Sequence, residues 1–95
     1  MKLNYNTDLH NVLINHIITI IVFFAIYNVL QSYDKSCFSG TNGCWIDMLY
    51  FTTTTHSTTG YGDIVPTNKL SKIVVSIHQL IIIALMMELI FIFVH

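Results

Sequence analysis

Apolar residues gather into two long runs and one short run, separated by polar stretches. Val12–Leu30 is apolar except for Asn15, His16, Thr19 and Asn28. As a helix its 19 residues rise about 28 Å, close to the ~30 Å hydrocarbon thickness of a bilayer. Ile73–Val94 is a second run of 22 residues, interrupted chiefly by His78, Gln79 and Glu88. The pattern predicts an outer helix over 12–30 and an inner helix over 73–94, both spanning a membrane. Residues 1–11 are polar and are read as a short amino-terminal segment. Residues 31–44 are rich in Ser, Asp, Gly and Asn and are read as a turret loop. Tyr27 and Tyr33 suit an aromatic belt at the end of the first span.

The short run, Trp45–His56, begins with Trp45, Ile46, Met48, Leu49, Tyr50 and Phe51 and ends in four threonines. Twelve helical residues cover only about 18 Å, too little to cross. Four consecutive threonines favour a strand in water. Inside a membrane their hydroxyls can bond back to helix carbonyls, so a short helix over 45–56 is expected. The irregular stretch that follows, 57–66, cannot face lipid, because its amides and carbonyls would go unpaired. Such backbone survives at membrane depth only when buried in protein or lining water. A re-entrant loop that dips in and returns meets this condition. Pro66 disfavours helix just before itself, and Thr67, Asn68 or Ser71 is a candidate cap for the next helix.

Composition agrees with a chain dissolved in lipid. Hydrophobic residues make up 54% and charged residues 9% of the sequence, against about 25% charged in a soluble domain. The net charge is −1, with four lysines and no arginine. No polybasic segment for nucleic acid or anionic lipid is present. No secretory signal peptide is evident, no soluble domain is expected after the second run, and lysine placement gives no clear orientation. Cys37 and Cys44 fit either a disulfide or two reduced thiols, and make a poor zinc site. His10 and His16 do not share a helix face, so no metal site is expected there. Catalytic constellations around a soluble pocket are absent, and an enzyme is not expected.

Thr58-Thr59-Gly60-Tyr61-Gly62-Asp63 lies between the two spans. Four Thr-x-Gly-Tyr-Gly loops supply rings of backbone carbonyls that replace the hydration shell of potassium. All the carbonyls must aim inward, which requires positive φ at alternate residues, and Gly60 and Gly62 reach it without strain. The carbonyls of Thr58, Thr59, Gly60 and Tyr61 and the Thr58 hydroxyl are the expected potassium ligands. The carbonyl end of the 45–56 helix adds partial negative charge near the cavity. One loop gives one oxygen per ring, so three identical partner subunits are required. Potassium ions are the expected occupants, with no organic cofactor and no nucleic-acid partner. The expected fold is therefore an all-α membrane protein: two transmembrane helices, a re-entrant pore helix and a filter loop, assembled as a homotetramer.

Trp45-Ile46-Asp47, Tyr50-Phe51 and Thr55-His56-Ser57-Thr58-Thr59-Gly60-Tyr61-Gly62-Asp63 closely resemble the miniature potassium channels of large algal viruses, the Kcv type. The resemblance covers the whole plan and is most specific over 45–66. It implies a potassium-selective, pore-only homotetramer with cytosolic termini, no voltage sensor and no ligand domain. It also implies residence in a viral internal membrane and a host membrane. One departure stands out: Thr59 occupies a position usually held by Val or Ile, so a hydroxyl behind the filter needs a partner. A weakly selective cation channel and a non-conducting hairpin subunit are the alternatives.

Asp63 corresponds to an aspartate that, in related channels, bonds a pore-helix aromatic. Tyr50 is its candidate partner, and a solvated carboxylate at the mouth is the other reading. His56 is expected to pack behind the filter, and His78 to be a hydrogen-bonded packing residue. Glu88 is the carboxylate within a span and so a functional candidate. With Ala84, at helical spacing, it either forms a cavity ring or is structural, as in a contact with His16.

Overall fold

The computed structural model describes residues 5–94, with side chains from Thr7 onward. Helix α1 (Tyr5–Tyr33) is followed by a single 3-10 turn (Lys35–Cys37), strand β1 (Phe38–Ser39), helix α2 (Trp45–His56), strand β2 (Val65–Pro66) and helix α3 (Lys69–Val94). The described part is elongated, with extents of 48 × 20 × 18 Å.

Both long helices overrun the apolar runs that announced them. No Gly or Pro separates Tyr5 from Val12, and Asp8 in the first turn complements the positive end of the helix. The segment expected as a separate amino-terminal piece is thus the start of α1 from Tyr5 onward. Residues 1–4 lie outside the description. At the head of α3, the Ser71 amide donates to Asn68 Oδ1 at 2.8 Å, and the Asn68 amide donates to Ser71 Oγ at 3.3 Å. This reciprocal cap starts the helix at Lys69, four residues before the hydropathy pattern suggests. Polar caps and first turns lie at the water interface, where hydropathy alone cannot see them.

Segments Thr7–Tyr33 and Lys69–Val94 are long and apolar enough to cross a membrane, and only 17% and 22% of their most apolar windows are buried. Apolar surface left open to this degree indicates helices solvated by lipid rather than the core of a soluble domain.

Helix α2 has the bounds read from the sequence, and its threonines show why it is helical. The hydroxyl of Thr52 donates to the Met48 carbonyl at 2.6 Å, Thr53 to Leu49 at 3.0 Å, and Thr54 to Phe51 at 3.1 Å. Each turns a polar side chain back onto its own helix, so the segment carries little unpaired polarity into an apolar setting.

The core lies towards the turret end, where Phe23, Tyr27 and Leu30 of α1 meet Phe38, Met48, Phe51, Ile64 and Val75. Tyr27 is fully buried there, which corrects its assignment to an aromatic belt; Tyr33 is exposed. Strands β1 and β2 pair antiparallel, Phe38 opposite Pro66 and Ser39 opposite Val65. This clasp fastens the middle of the 31–44 loop to the segment that leads into α3. Cys37 is buried and Cys44 exposed, both as free thiols. The Cys37 sulfur accepts from Asn68 Nδ2 at 3.3 Å.

Candidate functional site

The stretch after α2 is held by its own amides. The Ser57 amide donates to Thr53 O at 3.0 Å and that of Thr58 to Thr55 O at 3.1 Å. The amides of Thr59 and Gly60 both reach Thr54 O, at 2.9 and 3.1 Å. The last carbonyls of a helix need partners, and here the loop supplies them.

Positive φ occurs at Thr58 (64°), Gly60 (56°) and Gly62 (85°), but at neither Thr59 nor Tyr61. A backbone whose φ alternates in sign is one that can turn successive amides to one side and the carbonyls to the other. Gly60 and Gly62 adopt the handedness expected of them. Thr58 adopts it too, which the sequence did not disclose, since a β-branched residue rarely takes positive φ. Residues Thr58–Asp63 are all exposed in the single chain.

The Thr59 hydroxyl lies 2.8 Å from Ser57 Oγ. The departure at this position therefore brings its own partner, one residue before Thr58. At the mouth, Tyr50 donates its hydroxyl to Asp63 Oδ2 at 2.8 Å, joining two residues singled out from the sequence. That bond to the carboxylate pushes the Tyr50 phenol above its usual range. The rings of Tyr50 and Tyr61 stack at 6.2 Å, 6° from parallel. Gly40 presses on this corner from the turret: a Cβ at Gly40 would sit 1.9 Å from the Asp63 carbonyl oxygen.

His56, at the end of α2, lies between two other histidines. Its Nε2 is 2.8 Å from His16 Nδ1 and its Nδ1 is 3.2 Å from His78 Nε2. His78 Nδ1 in turn meets the Tyr27 hydroxyl at 2.7 Å. Three helices are thus tied together directly behind the loop. Sequence spacing does not show this cluster, because its members are 40 and 22 residues apart. Its only signal is the presence of polar rings within apolar runs.

Beside the loop, a cavity of about 330 Å³ is lined by Thr55, Thr58, Gly60, Gln79, Ile82 and Ile83. It identifies the face of α3 that looks towards the loop. Glu88 lies nine residues beyond Gln79, two and a half turns, and so on the opposite side. There, with Ala84, it lines a groove against Asp8, Asn11 and Asn15 of α1. In the single chain Glu88 and Ala84 are thus placed beside α1. His16, which bonds His56, does not line that groove.

A family model described as an ion channel matches residues 12–95. The chain is 36% identical over 67 residues to the potassium channel protein kcv of Paramecium bursaria Chlorella virus 1, covering 66% of this chain and 71% of that protein. No solved structure matches the chain significantly. These similarities point to a channel rather than an enzyme.

Proposed function

The chain belongs to the ion-channel family, and within it to the miniature Kcv type; from that membership we propose that it is a potassium-selective pore made of four copies. The observation that carries this reading is the alternation of positive φ at Thr58, Gly60 and Gly62. It turns the carbonyls of Thr58, Thr59, Gly60 and Tyr61 to one side, where four copies would stack them into rings around a dehydrated ion. The Thr58 hydroxyl completes the innermost ring. Negative ends of four α2 helices face the cavity below and favour a cation there, each with about half a charge.

Fourfold assembly is supported by the exposure of this loop, whose carbonyls have no work to do on the outside of a single chain. Tyr50, Asp63 and His56 act as supports that hold the loop from behind and above. Partnering of Thr59 by Ser57 argues against a slack filter and so against weak selectivity.

Purified protein in a planar bilayer, under opposed potassium and sodium gradients, tests the reading. Unitary currents reversing near the potassium equilibrium potential are expected. Reversal near zero would select a weakly selective cation pore, and silence from folded tetramers would select a non-conducting hairpin.

A further inference from the structure

Three imidazoles and a phenol lie in one hydrogen-bonded row across all three helices, and the family's ion path uses none of them. The row runs His16 Nδ1 to His56 Nε2 at 2.8 Å, His56 Nδ1 to His78 Nε2 at 3.2 Å, and His78 Nδ1 to the Tyr27 hydroxyl at 2.7 Å. Phe23 stacks on His78 at 4.2 Å, and Phe38 and Phe51 stand edge-on to Tyr27. Among the described residues no carboxylate or lysine hydrogen-bonds to the row. The titratable groups facing it from α1, α2 and α3 are its own four members.

Proton counting makes this row a device. A neutral imidazole offers one donor and one acceptor. Tyr27 is fully buried and has this bond alone, so its hydroxyl must donate to His78. That fixes the rest: His78 Nε2–H donates to His56, and His56 Nε2–H donates to His16. Every link is made with all four groups neutral. One added proton cannot be housed without loss. If His16 gains a proton at Nδ1, its new N–H faces the N–H of His56 and that link breaks. If the whole row reverses instead, the Tyr27 hydrogen is left without an acceptor in an aromatic core. His16 and His56 are half-buried, whereas His78 and Tyr27 are fully buried; both His56 nitrogens lie inside the row, so the proton enters at its end, His16.

We propose that His16, His56, His78 and Tyr27 form a proton-binding site behind the filter, and that protonation at His16 releases α1 from the end of α2 and closes the pore. A proton from water forms the N–H bond at His16 Nδ1; the hydrogen bond between His16 and His56 is lost. His56 sits two residues before Thr58, whose positive φ is held only while its surroundings enforce it. Loosening the last turn of α2 lets the loop relax out of its alternating conformation.

The proposal rests on the reading of the chain as a conducting channel, and two measurements keep the two apart. In bilayers, open probability is expected to fall about fivefold, the worth of one hydrogen bond, as pH on the amino-terminal side drops from about 8 to about 5, with unitary conductance unchanged. His16→Gln should flatten this response and His10→Gln should retain it. A flat wild-type response, or a full response in His16→Gln, overturns the proposal. Nitrogen-15 NMR of the imidazoles in wild-type tetramers needs no current. It should show three neutral, hydrogen-bonded rings at the higher pH and loss of the coupling between His16 and His56 on acidification. A coupling that survives acidification overturns the proposal even if the protein never conducts.

Discussion

At the scale of single residues, handedness of the backbone decides more than side-chain chemistry. Gly40 and Gly60 both have positive φ but depend on it for different reasons. A Cβ at Gly40 would collide with the Asp63 carbonyl, whereas one at Gly60 would meet nothing within 4 Å. Gly60→Ala therefore leaves packing intact and penalises only the left-handed conformation, by about 1–2 kcal/mol. Protein that folds and assembles as wild type but does not conduct is the expected result. Gly40→Ala should instead displace the mouth and lower thermal stability, by roughly 1–3 kcal/mol as for other overpacked sites. Thermal melts alongside bilayer recordings separate the two outcomes. Gly60 and Gly62 were legible in the sequence because glycine at alternate positions has few other uses. Thr58 was not, since a β-branched residue rarely takes positive φ and its type gives no sign of it.

At the scale of elements, α2 was legible and its attachments were not. Its length and its run of threonines told of a short helix with hydroxyls turned inward, because i to i−4 bonding is a local matter. The links from His56 to α1 and α3 are long-range, and no periodicity announces them. The buried bond from Tyr27 to His78 is the strongest test of how much they matter. Tyr27→Phe keeps the ring and removes the hydroxyl, leaving an imidazole nitrogen in an aromatic core without a partner. A loss of about 1–3 kcal/mol is expected, read as a lower melting temperature. A melt equal to that of wild type would mean that the ring alone holds α1 to α3. The helix ends were misjudged for a related reason. Hydropathy records where lipid begins, whereas capping by Asn68 and Ser71 and the polar first turns of α1 set where helix begins.

At the scale of the whole molecule, two surfaces of α3 have different destinations. The face bearing Gln79 and Ile83 borders the loop; the face bearing Glu88 borders α1. Glu88→Gln is therefore expected to leave block by internal magnesium or spermine unchanged, within about twofold, since the carboxylate lies about half a turn from the α3 face that borders the loop. A marked fall in block, measured on single channels, would return Glu88 to the pore. The sequence could not decide this, because an apolar helix with one acid has no polar stripe to orient it.

The clasp of β1 on β2 has a mechanical consequence. It pins the neighbouring ends of the two spans through Phe38–Pro66 and Ser39–Val65, and α3 runs 26 residues, about 39 Å, away from that pin. A rod held at one end moves as a lever. A tilt of about 5° moves Gln79 by about 1 Å and carries the far end about 3 Å sideways, between the ~1–2 Å helix shifts and the ~5 Å one-turn ratchets of switching proteins. The clasped end of α3 is thereby a fulcrum, and the largest sideways motion open to the helix belongs to its far end.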